Sequence, residues 1–285
     1  MNNNNKTLFR DRELLIVTKH SKELVLGPLF EKEFQLTHKL PIKFDTDSLG
    51  TFSGEIERKD SALETLRSKC NIALQEEGMD LALATEGSFG NHPTVFFCPT
   101  NDELIMLYDK KNKLEIVERV LSLETNFDAQ EIHSYKQLEE FIKKTKFPSH
   151  AVILKNKQLG WTKIIKGIQD IESLQKAYDY VTKDQSSCFI ETDMRALYNP
   201  TRMKIIKEVG LKLIQKINAA CPNCQFPGFG VVRTEAGLLC NRCQMPTRST
   251  SAHIYQCKKC AFEFIKKFPL KKTTEDPMYC DFCNP

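Results

Sequence analysis

Apolar runs and helical repeats of apolar residues alternate along the first 220 residues of the chain. Leu14–Thr18 is an almost wholly apolar run that predicts a buried strand. Apolar residues then recur at helical spacing from Ser61, which forms a capping-box pattern with Glu64, to a terminating Gly78. Further strands are predicted at residues 81–85, 94–98, 103–108, 150–154 and 188–191, and further helices at 134–145, 170–182 and 199–217. This alternation favours an α/β fold with a mixed or parallel sheet flanked by helices.

The composition of the chain changes after Ala220. The segment that follows is rich in cysteine and contains proline and glycine, and it lacks long periodic runs of apolar residues. We therefore expect two parts, an α/β domain over residues 1–220 and a small C-terminal module over residues 221–285.

Eight of the eleven cysteines occur in four CxxC pairs, all of them in the C-terminal module. Two such pairs place four thiolates around one tetrahedral metal, and a site closed by four sulfur ligands is structural. The spacing therefore predicts a zinc-ribbon module with two structural zinc sites, and the sequence allows either sequential or interleaved pairing. The predicted ligands are Cys221, Cys224, Cys240, Cys243, Cys257, Cys260, Cys280 and Cys283.

The remaining cysteines are Cys70, Cys98 and Cys188, and their apolar surroundings place them in the predicted core. No apolar run reaches the roughly 18 residues that a membrane helix needs. The Asn-rich start of the chain also lacks the apolar core of a signal peptide. We therefore expect a cytoplasmic protein without membrane contact, in a reducing compartment that favours metal binding over disulfides.

The net charge of +4 falls within residues 221–285, which hold nine Lys or Arg and five Asp or Glu. Eight thiolates around two zinc ions would cancel this excess, so net charge alone makes a weak case for nucleic acid. In the same module lysines and phenylalanines interleave, which suits either a nucleic-acid face or a solvated basic surface over an aromatic core. These residues are Lys258, Lys259, Lys266, Lys267, Lys271, Lys272, Phe262, Phe264 and Phe268.

Two polar segments directly follow predicted strands of the α/β domain. Thr18, Lys19 and Lys22 lie in a strand-to-helix turn, where backbone N–H groups and lysines suit a phosphate. Glu86 belongs to a predicted turn at 85–93, at the carboxyl end of a strand, which is where α/β proteins bind ligands. An ordinary surface turn is the alternative for both segments.

A loop at residues 45–58 concentrates carboxylates. Asp45, Asp47, Glu55 and Glu57 offer the oxygen ligands that Mg²⁺ and Mn²⁺ prefer. A solvated loop with side-chain-to-backbone turns has the same composition. The segment is therefore a candidate site for a divalent metal, with the loop as its alternative.

Arg195 and Arg202 lie on either side of the start of the last predicted helix and are candidate ligands for an anion. Arg202 falls in the first helical turn, where a cation opposes the helix dipole. Such an arginine needs an anionic partner, which is either a bound ligand or an internal carboxylate such as Asp193.

These segments resemble two known families. Nearly the whole chain resembles a bacterial family of uncharacterised proteins. The motifs that carry this resemblance are residues 18–23, 45–58, 85–93 and 191–203, together with the CxxC pairs. Residues 14 to about 215 also resemble the inosine-triphosphate pyrophosphatase superfamily, including its Maf-like and non-canonical purine phosphatase branches. The positions that carry the second resemblance are Thr18, Lys22, Glu57, Lys69, Glu86 and Arg202.

The chain departs from that superfamily at several motif positions. The first turn is one residue shorter, Thr65 replaces the Asn of the helix motif, and Pro200-Thr201 replaces the Ser-His that precedes the late arginine. The superfamily's aromatic-Tyr-Asp-Pro segment has no clear counterpart, so the resemblance does not indicate a base preference.

The resemblance implies a metal-dependent hydrolase that acts on a phosphorylated small molecule, such as a nucleoside triphosphate pyrophosphatase. Glu57 and Glu86 would hold Mg²⁺ or Mn²⁺, with Asp45 or Asp47 as further ligands. Glu86 would also accept a proton from the water that attacks the α-phosphorus. The superfamily often dimerises, so the resemblance is compatible with a dimer, and the sequence leaves the oligomeric state open. The implied phosphate ligands are Lys22, Lys69 and Arg202.

Two other functions fit the same sequence. A non-enzymatic protein would bind nucleic acid or a protein partner through the zinc module, and a nuclease would use the carboxylates with the module holding the polymer. The enzyme hypothesis requires Glu86 and the carboxylates of 45–57 to converge with Lys22. The binding hypothesis requires the lysines and phenylalanines of 258–272 to share one exposed face.

Overall fold

A computed structural model of the chain describes residues 7–43, 61–156, 163–183 and 186–285. The chain divides into two compact units. The large unit spans residues 11–213, and the small unit combines residues 214–285 with the described residues 7–10. Within the described part of the chain, no helix has both the length and the apolar character to span a membrane.

The first sheet of the large unit has five strands in the order β2-β1-β3-β4-β5. Strand β1 pairs in parallel with β2 and β3, and β3, β4 and β5 pair antiparallel. Helices α1 and α2 alternate with the strands along the chain and flank this mixed sheet, which confirms the predicted fold class. The strands are β1 Glu13–Val17, β2 Thr37–Lys39, β3 Leu81–Asn91, β4 Pro99–Asp109 and β5 Leu114–Ser122, and the helices are α1 Glu23–Phe34 and α2 Ala62–Glu77.

Helix α2 packs its apolar face against β1 and β3. Leu66, Cys70 and Ala73 recur at helical spacing and join the core that Ala82 and Ala84 form on the sheet. The capping box is confirmed, because Ser61 accepts from the Glu64 N–H and Glu64 accepts from the Ser61 N–H. Gly78 ends the helix with φ of 69°, a conformation that glycine adopts without strain.

The second sheet of the large unit has four antiparallel strands in the order β6-β9-β7-β8. Helices α3 and α4 pack on it through a core that includes Leu138, Phe141 and Leu174. Ser134 and Asp170 cap these helices, because their side chains accept from the N–H groups of Gln137 and Ser173. The elements are β6 Ala129–Ile132, α3 Tyr135–Lys144, β7 Val152–Asn156, β8 Ile164–Ile168, α4 Ile171–Thr182 and β9 Cys188–Thr192.

Helix α5, Pro200–Asn218, contains the boundary between the units. The small unit then forms one antiparallel sheet in the order β10-β11-β12. Its strands are β10 Gly230–Ala236, β11 Thr250–Gln256 and β12 Glu263–Lys267.

Two predictions between residues 85 and 98 are wrong. The predicted turn at 85–93 is mostly strand, because β3 continues to Asn91 and pairs with β4 as far as Pro99. The predicted strand at 94–98 is instead part of the turn that joins β3 to β4. Cys98 lies in this turn and is partly exposed, whereas Cys70 and Cys188 are buried as expected.

Candidate functional site

The eight paired cysteines form two four-cysteine clusters in the small unit. The first CxxC pair along the chain combines with the third, and the second pair combines with the fourth. The pairing is therefore interleaved. Within each cluster the sulfur atoms all lie within 4.8 Å of one another. The first cluster is Cys221, Cys224, Cys257 and Cys260, and the second cluster is Cys240, Cys243, Cys280 and Cys283.

The sulfur spacing fits four thiolates around one metal. The Sγ–Sγ distances are 3.7 Å for Cys221–Cys260 and 3.6 Å for Cys224–Cys257. A tetrahedron with metal–sulfur bonds of about 2.3 Å has edges of about 3.8 Å. A disulfide would instead bring the sulfurs to about 2.05 Å. The arrangement can therefore hold a metal in each cluster.

Three of the four CxxC pairs share one backbone turn. The N–H groups of Cys221, Cys240 and Cys257 each donate to the carbonyl five residues later, at 2.9 Å in all three cases. The fifth residue of each turn adopts a left-handed conformation, with φ between 56° and 60°. Asn223 donates a hydrogen bond to the Cys260 sulfur and lowers the pKa of that thiol, which favours the thiolate.

A second candidate site lies in the large unit, where β1 leads into α1. The Lys22 side chain is buried, and its ammonium donates a 2.6 Å hydrogen bond to Thr85 Oγ1 on β3. Among the described residues, no carboxylate lies within ion-pair distance of this ammonium. Burial and the nearby charge of Arg202 lower the pKa of Lys22 to about 7.

Lys69 and Glu86 form an ion pair that acts electrostatically on Lys22. Lys69 extends from α2 to the carboxylate of Glu86 on β3. The Glu86 side chain is buried. The charges of both groups act on Lys22, Glu86 raising its pKa and Lys69 lowering it. The structure thus brings together Lys22, Lys69 and Glu86, three candidate residues from distant segments of the sequence.

Arg202 pairs with a carboxylate that sequence reasoning missed. Its Nε donates to Glu103 Oε1 at 2.6 Å, and neither side chain has exposed surface. Of the two alternatives for Arg202, the structure therefore shows an internal carboxylate, but it is Glu103 and not Asp193, which pairs with Arg195 at 2.6 Å. Glu103 lies on the same face of β4 as the buried Ile105 and Leu107, so the period-two pattern of the sequence already indicated that its side chain points inward.

Gly87 allows the Arg202–Glu103 pair to lie against β3. A Cβ atom at this position would overlap both the guanidinium and the carboxylate. The Arg202 guanidinium also lies 5.0 Å from the centre of the Phe89 ring. The pair therefore holds α5 against the face of β3 that carries Thr85, Gly87 and Phe89.

The other candidates lie around this cluster or outside the described residues. Thr18 is buried at the end of β1, where its hydroxyl accepts from the His20 N–H at 3.2 Å, whereas Lys19 is exposed. Arg195 is held by Asp193 and lies 4.5 Å from the Tyr198 ring centre. Asp45, Asp47 and Glu57 lie outside the described residues.

Two lysine ammonium groups and a carboxylate thus lie near the carboxyl end of β1, which is a parallel strand. Such an edge, next to the turn into a helix, is where α/β proteins bind anionic ligands. Within residues 61–156 and the other described ranges, groups of three or more metal-ligating side chains occur only as the two cysteine clusters. We call Lys22, Lys69 and Glu86 the lysine cluster; its two ammonium groups suit an anion.

Comparison with protein families assigns the chain to one of them. A family model described as a domain of unknown function, DUF6671, matches residues 69–285. The chain belongs to the DUF6671 family. The matched region of this DUF6671 protein contains both cysteine clusters together with Lys69, Glu86, Glu103 and Arg202, whereas Lys22 precedes it. Comparisons with curated proteins and with solved structures give no significant match.

Proposed function

We propose that the large unit binds and hydrolyses a phosphorylated small molecule at the lysine cluster, with nucleoside triphosphates as the first substrates to test. The proposal depends on one observation: the ammonium of Lys22 is buried and donates its hydrogen bond to a hydroxyl instead of a carboxylate. Burying a charge without an ionic partner is costly. An anionic ligand removes that cost, and buried groups with a shifted pKa are typical of functional sites.

The ion pair beside Lys22 supports a catalytic role for Glu86. A phosphate that binds Lys22 and Lys69 competes with Glu86 for the Lys69 ammonium, and the carboxylate is then available to accept a proton. Water attacks the α-phosphorus, Glu86 takes the proton of that water, and the bond to the pyrophosphate leaving group breaks. Arg202 does not contact the ligand in this scheme, because it is committed to Glu103.

The proposal includes a divalent metal, because carboxylate oxygens are ligands that Mg²⁺ and Mn²⁺ prefer. Glu86 is the described member of the expected set, and Asp45, Asp47 and Glu57 are the remaining ones. When bound, Mg²⁺ or Mn²⁺ would neutralise phosphate charge and acidify a water.

The test is an assay of pyrophosphate and phosphate release from a panel of ordinary and deaminated nucleoside triphosphates. Mg²⁺, Mn²⁺ and a chelator are compared in parallel. Glu86→Gln should lower turnover by about 100-fold, the typical contribution of a general base. Glu118→Gln, a partly exposed carboxylate on β5, is the matched control and should retain full activity.

Binding is tested separately from turnover. Lys22→Met should abolish binding of the same triphosphates in calorimetry, whereas Lys212→Met, which removes an exposed lysine, should leave it intact. No release and no binding across the panel would overturn the proposal. Full activity in Glu86→Gln would remove Glu86 from the mechanism.

We infer that the two cysteine clusters hold structural zinc. Four thiolates at tetrahedral spacing form a closed site that leaves no position for a substrate, and Zn²⁺ is the ion that such sites select. A reducing compartment such as the cytoplasm would keep the eight thiols available. Elemental analysis of purified protein should find about two zinc ions per chain; iron, or no metal, would contradict the assignment.

A further inference from the structure

The central strand β11 of the small unit's sheet has one buried side and one partly exposed side. Ala252 and Ile254 are 4% and 0% exposed, and we call their side of the sheet the covered face and the other side the open face. The intervening His253 and Tyr255 point to the opposite face. Their partners across the ladder are Lys266 and Phe264 on β12.

Aromatic rings form a continuous row on and beside this open face. The Tyr255 ring centre lies 5.9 Å from that of Phe264 and 5.8 Å from that of Phe229. Phe229 in turn lies 6.0 Å from Phe262. Phe264 is 50% exposed although it is a large apolar side chain on a strand. We call the surface made by His253, Tyr255, Phe264 and Lys266 the stacking face.

The carboxylates of the three strands lie on the covered face only, together with Arg233 and Lys267. On the three strands, Glu235 and Glu263 are register partners of residues on the covered face, and Arg233 lies 3.5 Å from Glu263 there. The strand positions of the stacking face carry no carboxylate, and Lys266 is exposed beside Phe264. The CxxC turn that follows β11 carries two further exposed lysines, Lys258 and Lys259.

We propose that the stacking face binds single-stranded nucleic acid. Unpaired bases stack on aromatic rings regardless of sequence, and lysines beside the rings contact the phosphates that link those bases. Aromatic rings also occur in protein–protein interfaces, so the choice of a polyanion rests on Lys266 beside the rings and on the lack of carboxylates at the strand positions of this face. Duplex DNA hides its base faces, so it cannot use the rings. The proposal is independent of the hydrolase proposed above.

Strand β12 supplies matched variants for the test, because alternate residues of one strand point to opposite faces. Phe264→Ala and Lys266→Gln change the stacking face. Ile265→Ala and Lys267→Gln make the same kinds of change on the opposite face, where Ile265 is 52% exposed. Metal content and far-ultraviolet circular dichroism of the full chain verify that each variant folds.

The measurement is fluorescence anisotropy with labelled oligonucleotides of about ten nucleotides, single-stranded DNA and RNA in separate titrations and a duplex for comparison. We expect binding of at least one single strand and weaker binding of the duplex. Phe264→Ala should raise the Kd by about tenfold. Lys266→Gln should lower the slope of log affinity against log salt by about one, between about 50 and 200 mM salt.

The control variants should bind as the wild type does. Absence of binding to both single strands overturns the proposal, as does equal or tighter binding of the duplex. Binding that falls equally in the Phe264 and Ile265 variants also overturns it, because the contact would then not depend on the stacking face. A folded Phe264→Ala variant that loses only capture of a protein would assign the face to a protein partner instead.

Discussion

At the scale of single residues, Lys22 links stability to pH. Burial lowers its pKa from 10.5 to about 7 in the folded chain. Below pH of about 7 the lysine is charged in both the folded and the unfolded chain, so the full cost of burying the charge is present. As the pH rises further, the folded chain releases the proton first and the cost falls.

We therefore expect Lys22→Met to be more stable than the wild type at about pH 6, with an advantage that shrinks by about 3 kcal/mol towards pH 9. Hydrogen exchange of the β1 and β3 amides reports the large unit separately from the small one. Lys212→Met, at an exposed position, should show no such pH dependence. A constant difference between Lys22→Met and wild type across this range would mean that Lys22 stays charged.

Gly87 provides a second residue-scale prediction. Gly87→Ala introduces a Cβ that overlaps the Arg202–Glu103 pair, and both side chains of this pair are fully buried. We expect the free energy of unfolding of the large unit to fall by about 2 kcal/mol, as in overpacked cores. Gly90→Ala is the matched control, because a Cβ there meets no atom within 4 Å.

Urea unfolding followed through the large-unit amides measures both glycine variants. If Gly87→Ala matched Gly90→Ala in stability, the Arg202–Glu103 pair would have to accommodate a methyl group by moving. That result would contradict a rigid pair.

Sequence reasoning found some of the site residues and missed others for identifiable reasons. Lys22 and Glu86 follow apolar runs in sequence, and that local contrast selected them. Glu103 and Thr85 lie inside strands, where they were counted with the β pattern of their neighbours. Their function depends on residues about 60 to 100 positions away, and no local pattern encodes such a contact.

At the scale of elements, β3 shows how turn signals can mislead. Two glycines, a serine and an asparagine between residues 87 and 91 resemble a turn. The strand continues because β4 pairs with it over its whole length, from Leu81–Asp109 to Asn91–Pro99. Gly87 is required by the guanidinium beside it, and not by a turn. Tertiary pairing therefore outweighs local propensity here.

Helix α2 was predicted in full because its signals are local, and its cap can be tested. Ser61→Ala removes the hydroxyl that accepts from the Glu64 N–H and should lower the free energy of unfolding by about 1 kcal/mol. Ser68→Ala makes the same change inside the helix and should be neutral or slightly stabilising. Exchange of the first-turn amides of α2 measures the effect; equal protection in the two variants would show that the cap adds no stability.

At the scale of the whole molecule, the cysteine spacing predicted the number of clusters but could not predict the pairing. Each CxxC turn is local, whereas the choice of partner turn is made by the sheet. Strands β10 and β11 lie between the turns, and their antiparallel pairing returns the Cys257 turn to the Cys221 turn. Interleaving follows from that topology.

Interleaving predicts a particular result when two CxxC pairs are replaced by serine together. Replacing the first and third pairs removes the first cluster only, so about one metal per chain should remain. Replacing the first and second pairs damages both clusters, so almost no metal should remain. Sequential pairing predicts the reverse order for these two variants. Elemental analysis with thiol titration therefore distinguishes the two arrangements.

The same variants also show whether the clusters support one another. If the sheet β10-β11-β12 folds as one unit, loss of the first cluster should weaken metal retention in the second, because both clusters are attached to this sheet. Chelator challenge of the variant that lacks the first and third pairs measures this coupling as faster release of the remaining metal. Release at the wild-type rate would mean that each cluster folds independently of its neighbour.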